Sequence, residues 1–335
     1  MLTIPQKSFL LFAVLLGVAL TLHLANYSLL SASLSQYFFS RNPDRISIGT
    51  PLTSEPPMAL YDYGSGSSNN DALFLLPVHD NVPRPLRNTA VGDFSPNSRA
   101  VALFDLKNGR YLFSQNIDQP LPIASVTKLM AAMVILDHVS LDEQIPVKPE
   151  YIDVDGERAD LFKGETLSAQ SLITIMLVNS SNDAALAFNG YLKDKGIDLV
   201  EEMNRNALKL GMQQTHFLDP AGLNDDGFST ARDVIRMAQE VDRYPIIWST
   251  LRMPAAKVYS VDKKIAHNLK NTNQLLGLIS GIVGGKTGNT PKAKGSLVLV
   301  IERHGTELVS VIIGSDDRFG QTKQLIDWSD NAYLW

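Results

Sequence analysis

The sequence predicts an α/β fold in which one antiparallel sheet, assembled from strands at both ends of a single domain, is covered by helices. Three observations carry that expectation. A pair of strand-like runs opens the patterned part of the chain near Arg99, a second pair ends near Gly314, and the residues between read mostly as helix. The 335 residues, 44% hydrophobic and 19% charged, are enough to bury one large core or two modest ones.

The chain begins with a segment of another kind. From Ser8 to Leu30 the run SFLLFAVLLGVALTLHLANYSLL carries no Asp, Glu, Lys or Arg, and Lys7 is the only charged residue before it. A bilayer-spanning helix needs about 20 apolar residues, whereas the core of a cleaved signal has roughly 7 to 15. Residues 1–39 are therefore expected to be an uncleaved membrane anchor, with the Lys7 side cytoplasmic and the rest of the chain outside. In the alternative, a secreted or periplasmic protein, Ser31-Ala32-Ser33 supplies the small residues of a cleavage site. A buried core helix would show a polar side, and this run offers only Thr21 and His23. Residues 40–96 are rich in Pro, Gly, Ser and Asn, follow no sustained period, and read as a linker. Its apolar patch Ala72–Val78 has no assigned place.

The folded domain is expected over 97–335. RAVALFDL, the turn Lys107-Asn108-Gly109 and RYLFS form a β-hairpin. Ser125 is followed by VTKLMAAMVILDHV, made of good helix formers and apolar enough to be buried on most sides. Further helices are expected at Ala169–Val178, Asp183–Lys193, Leu199–Leu210 and Thr230–Val241, several behind Ser, Asp or Thr caps. Ser296–Arg303 and Glu307–Gly314 form a second hairpin about His304-Gly305, and TKQLIDWSDNAYLW ends the chain as a helix on the sheet.

Composition excludes several functions. A net charge of -5 is too small and of the wrong sign to favour nucleic acid as the main partner. The absence of cysteine removes disulfides, thiolate zinc sites, iron–sulfur clusters and a cysteine nucleophile together.

Three short patterns carry the chemistry: Ser125-Val-Thr-Lys128, Ser180-Ser-Asn182 and Lys286-Thr287-Gly288. Each is weak alone, as Ser260-Val-Asp-Lys263, Ser68-Asn-Asn70 and Ser95-Pro-Asn97 demonstrate within the same chain. An isolated Ser-x-x-Lys is far more often a helix-capping Ser with a Lys that reaches water. Ser125 and Lys128, however, stand three apart at the head of an apolar helix, so their side chains share one face. A serine hydroxyl needs a neighbouring base to become a nucleophile, and a lysine whose proton affinity is lowered by burial can be that base. Ser180-Ser-Asn182 falls between two helices, where a turn presents a hydroxyl and an amide to a cleft. Lys286-Thr287-Gly288 reads as an edge strand where a cation and a hydroxyl hold a carboxylate and Gly288 admits a substrate backbone.

In this order the three patterns are those of penicillin-binding proteins and class A β-lactamases. From about Arg99 to Asn331 the chain resembles the low-molecular-mass D-alanyl-D-alanine carboxypeptidases, serine peptidase family S11. The likeness extends to LFDLKNGRYLFSQNIDQPLPIASVTKLM, LVNSSNDAALA, THFLDPAGLNDDGFSTARD, KNTNQLL and GIVGGKTGNT. The resemblance implies a β-lactamase/D,D-peptidase-like fold, an acyl-enzyme on Ser125, and Lys128 as general base. It implies proton transfer and substrate alignment by Ser180 and Asn182, a terminal carboxylate held by Lys286 and Thr287, and an oxyanion hole from the backbone N–H groups of Ser125 and Asn289. Peptidoglycan peptides are the implied substrate, β-lactams the implied inhibitors, and no metal or cofactor is called for. Asn289 departs from the aromatic or His residue frequent in the family, and the chain ends at Trp335 without the family's frequent C-terminal β-rich domain.

Three rival functions remain. D,D-endopeptidase cleavage of cross-links is the same chemistry with another leaving group. A class A-like β-lactamase needs Glu-x-x-x-Asn in a loop, and that spacing occurs at Glu202–Asn206, within a segment of helical period. A catalytically idle penicillin-binding module would carry the same motifs.

Overall fold

The computed structural model describes residues 84–152 and 161–335. The expected anchor, the Ala72–Val78 patch and most of the expected linker lie outside the described residues. Leu86–Arg87 (β1) precede Ser98–Asp105 (β2) and Arg110–Gln115 (β3), which pair as the expected hairpin. Asp105 fastens the turn by accepting the N–H groups of Lys107 (3.0 Å) and Asn108 (3.1 Å), and Gly109 takes the left-handed φ of 62° that the turn requires. Along β2, Ala100, Ala102 and Phe104 face one core while Val101 and Leu103 face another. With both faces covered, the strand reads as a near-continuous apolar run.

A 3₁₀ turn over Ala124–Thr127 leads into Lys128–His138 (α1), whose residues from Lys128 to Ile135 are all buried. Gln144–Pro146 (β4), Pro149–Ile152 (α2) and Thr166–Ser168 (β5) follow, and β4 pairs with β5. Next come Ala169–Val178 (α3), Asn182–Asp194 (α4), Leu199–Lys209 (α5), Ala231–Val241 (α6) and Pro245–Leu251 (α7). Ser168, Ser181, Asp198 and Thr230 cap four of these helices, each side chain accepting the N–H three residues on.

Ala255–Tyr259 (β6) and Ala266–Lys270 (β7) form a separate hairpin. Ile282–Thr290 (β8), Lys294–Arg303 (β9) and Thr306–Ser315 (β10) then join the first hairpin in a five-stranded sheet of order β3-β2-β10-β9-β8. Every pair in it is antiparallel, so the two ends of the domain meet at β2 and β10, and β8 is left as an edge. Arg318–Ala332 (α8) covers one face through Leu325 and Ile326, and Tyr333–Leu334 (β11) ends the pairing.

The boundary expected at residue 97 differs in one respect. β1 pairs with β11, and Phe94 packs edge-on to Phe113 (5.3 Å between ring centroids) and beside Trp328 (6.0 Å). Residues 86–94 thus hold the C-terminal helix in place, although the Pro-, Gly-, Ser- and Asn-rich run 40–96 in which they lie reads as linker. A fragment beginning at Asn97 is expected to be about 2 kcal/mol less stable than one beginning at Arg84, from the lost aromatic burial. Calorimetry should find its melting temperature lower by about 5 °C.

Candidate active site

The site lies where the 3₁₀ turn, the loop before α4 and the edge strand β8 converge. Ser125, half-buried in the turn, and Lys128, the first residue of α1, are about one helical turn apart, and Lys128 Nζ lies 2.8 Å from Ser125 Oγ. The same Nζ donates to Asn182 Oδ1 at 2.7 Å and to the Ala221 carbonyl at 2.7 Å. Both of these oxygens accept only and have no proton to give, so the direction toward Ser125 is the one in which the nitrogen can trade a proton.

Opposite this cluster, Lys286 Nζ donates to Ser180 Oγ at 2.6 Å and to the Thr287 carbonyl at 2.9 Å. Both Lys128 and Lys286 are fully buried. Burial, and after it the positive charges of Lys128 and Arg318, push the Lys286 ammonium well below the ordinary lysine value. The expectation that Lys286 stays charged therefore needs a partner, and an arriving carboxylate is such a partner, because an opposite charge at close range restores the ammonium.

Gly288 explains how β8 comes so near Ser125. A Cβ there would fall 2.4 Å from the Ile123 carbonyl oxygen and 3.1 Å from Ser125 N, so only glycine lets the strand lie against the turn. Asn289 is exposed and accepts from Arg318 Nη1 at 3.3 Å. The backbone is strained beside the chemistry: Ala124 has φ 49° and Ser180 φ 59°. Left-handed non-glycine residues of this kind persist only where the surroundings hold them.

Several contributors were not read from the sequence. Asp219 accepts the N–H groups of Ala221 (2.7 Å), Gly222 (2.6 Å), Leu223 (3.1 Å) and Asn224 (2.7 Å), folding the loop that aims the Ala221 carbonyl at Lys128. Asn204 of α5 fixes that loop upstream by bonding both Phe217 N and Phe217 O at 2.8 Å. The Asp-Pro-Ala-Gly run was the available signal, since Asp side chains favour local turns of this type. Arg318, at the start of α8, adds a second cation near Lys286, and nothing local in the sequence announces it. Gly222, at φ 74°, sits so close that a Cβ would fall 2.0 Å from the Ala124 carbonyl oxygen. Gly222→Ala is expected to displace the nucleophile turn and slow acylation by about a hundredfold, as measured by stopped-flow with a fluorescent penicillin.

Two of the competing spacings have plain structural roles, and Ser68-Asn-Asn70 lies outside the described residues. Ser260 donates to Asp262 Oδ1 at 2.7 Å and accepts the Ile265 N–H at 3.0 Å, closing the turn between β6 and β7. Glu202 lies on α5, bound to Arg205 at 2.7 Å, so its spacing to Asn206 belongs to a helix and not to a water-activating loop. Among the described residues no cluster of His, Cys, Asp or Glu could hold a metal ion.

An antiparallel sheet covered by helices, with a serine and a lysine in contact at the head of a buried helix, is the arrangement of the penicillin-binding class of proteins. The chain belongs to the D-alanyl-D-alanine carboxypeptidase family, Peptidase_S11, whose profile matches residues 88–317. It is similar to the D-alanyl-D-alanine carboxypeptidase DacF of Bacillus subtilis, 26% identical over 72% of this chain and 64% of that protein. It is also similar to a D-alanyl-D-alanine endopeptidase of Pseudomonas aeruginosa, 32% identical over 71% of this chain and 78% of that one. Among solved structures, cefotaxime-bound penicillin-binding protein D2 of Listeria monocytogenes superposes with a TM-score of 0.62 at 30% identity. That match covers 71% of this chain and 99% of the D2 chain.

Proposed function

We propose that the protein is a serine-type D-alanyl-D-alanine carboxypeptidase that removes the terminal D-alanine of peptidoglycan stem peptides through an acyl-enzyme on Ser125. The observation that carries this reading is the 2.8 Å contact of Lys128 Nζ with Ser125 Oγ, faced by the Lys286–Ser180 pair.

Ser125 Oγ attacks the carbonyl carbon of the penultimate D-alanine as its proton passes to Lys128. The oxyanion is met by the N–H groups of Ser125 and Asn289. Ser180, hydrogen-bonded to Lys286, relays a proton to the departing amine, and Asn182 aligns the peptide while holding Lys128. The terminal carboxylate is received by Lys286, the Thr287 hydroxyl and the nearby Arg318, a set that explains selection for a chain end. Gly288 gives the backbone room. Water then releases the tetrapeptide. A β-lactam follows the same first step, but its leaving group remains tethered, so the acyl-enzyme persists.

Residues 1–39 tether the enzyme to the membrane with the catalytic domain outside, a reading supported by the uncharged run Ser8–Leu30. No helix among the described residues is long and apolar enough to cross a membrane. Release of D-alanine from a stem pentapeptide, followed by mass spectrometry, tests the activity. One D-alanine per peptide is expected, and intact peptide after prolonged incubation would overturn it. The similarity to an endopeptidase favours a second reading, cleavage of cross-linked dimers, which the same assay detects as monomer formation.

A further inference from the structure

Thr272 follows β7 and stands outside the three motifs, yet its Oγ1 lies 2.6 Å from Thr287 Oγ1, and either hydroxyl is able to donate. Its position is rigidly set. The Thr272 N–H reaches the Val178 carbonyl at 3.2 Å, two residues before Ser180. On one side Asn271 is buried and donates to the carbonyls of Leu251 (3.0 Å) and Met253 (2.9 Å). On the other, buried Asn273 accepts the Leu275 N–H at 3.1 Å. The segment therefore ties the Ser180 loop to the edge strand and delivers one hydroxyl to Thr287.

We propose that Thr272 is a positioning residue that fixes the direction of the Thr287 hydroxyl proton, and through it the preference for a substrate ending in a free carboxylate. A threonine hydroxyl has one proton and two lone pairs. Were Thr287 to donate to Thr272, its lone pairs would face the substrate carboxylate and repel it. With Thr272 donating, the Thr287 proton is left for the carboxylate, and the donated bond polarises it further. The stiff χ1 of both β-branched residues keeps the two oxygens in register.

This inference rests on the proposed carboxypeptidase reading, and the test separates the two. Acylation is measured with two thioester substrates identical except at the terminus, one a free carboxylate and the other its methyl ester. The wild-type protein is expected to prefer the carboxylate, and a lack of preference overturns the carboxylate seat and with it this inference. Thr272→Val, which keeps the shape and removes the hydroxyl, is expected to lower that preference about tenfold. Thr272→Ser, which keeps the hydroxyl, is expected to restore it to within about twofold. In a Thr287→Val background the Thr272→Val change should lower the preference no further, because the proton it directs is already gone. Equal losses on both substrates, an unaltered preference in Thr272→Val, or full additivity with Thr287→Val would each overturn the proposal while leaving the carboxypeptidase reading standing. Should Thr272→Val fail to fold, Thr272→Ala serves in its place with the same outcomes.

Discussion

Benzylpenicillin is expected to acylate Ser125 and no other serine, and Ser125→Ala is expected to lower acylation and D-alanine release by at least about 10⁴-fold. The size follows from the loss of the bond-forming atom, which no neighbour replaces. Ser180 is held by Lys286 and Ser260 is consumed in its turn. Ser125 has a modest structural part, so its removal should leave the fold intact: half-buried in a 3₁₀ turn, it makes no side-chain cap. Peptide mapping of the adduct is the measurement. An adduct on Ser180 or Ser260, or undiminished D-alanine release by Ser125→Ala, would be incompatible with the mechanism.

The two buried lysines are expected to answer differently to charge-preserving replacement. Lys128→Arg should reduce acylation by about 10³-fold or more, since a guanidinium does not give up its proton and a general base contributes on that scale. Lys286→Ala should also be severely impaired, because the carboxylate loses its cation and Ser180 its partner. Lys286→Arg should retain measurable acylation below wild type, as the charge survives but a broader head must fit a fully buried place. Single-turnover acylation by a fluorescent penicillin, after circular dichroism has verified folding, compares the three. Acylation by Lys128→Arg at the wild-type rate would remove Lys128 from the chemistry.

The depressed Lys286 adds a pH signature. Between its lowered value and the ordinary 10.5, the unfolded chain holds a proton that the folded one does not, so this residue makes unfolding costlier as pH rises through that window. Carboxylate binding favours the ammonium, so in the same window a peptide ligand should bind with proton uptake and lose affinity as pH rises. Titration calorimetry of Ser125→Ala in buffers of differing ionisation enthalpy reads the uptake directly.

Much of this protein is determined by its sequence alone, and the reasons are local. The turn at Asn108-Gly109, the Ser, Asp and Thr caps, and the unbroken apolar run after Ser125 each specify their element within a few residues. The spacing of Ser125 and Lys128 fixes their contact through helix geometry, before any tertiary packing. By contrast, the 2.6 Å approach of Lys286 to Ser180 joins residues 106 apart in the chain, and only the docking of an edge strand on a helical layer creates it. The Ala221 carbonyl on Lys128, the Arg318 charge near Lys286 and the hydroxyl of Thr272 on Thr287 depend equally on packing. Ala221 and Thr272 lie in stretches that resemble the family, but no local pattern says which atoms they would meet, and Arg318 carries no motif signal at all. Composition even misdirects at residues 86–94, which lie between Pro85 and Pro96 in a run that reads as free chain because the aromatic surface that orders it, Phe113 and Trp328, lies elsewhere in the sequence. Helices, turns and the contact of Ser125 with Lys128 are short-range properties and are written locally, whereas the meeting of Lys286 with Ser180 and the lowered proton affinity of Lys286 arise from packing and burial, which exist only once distant segments exclude water together.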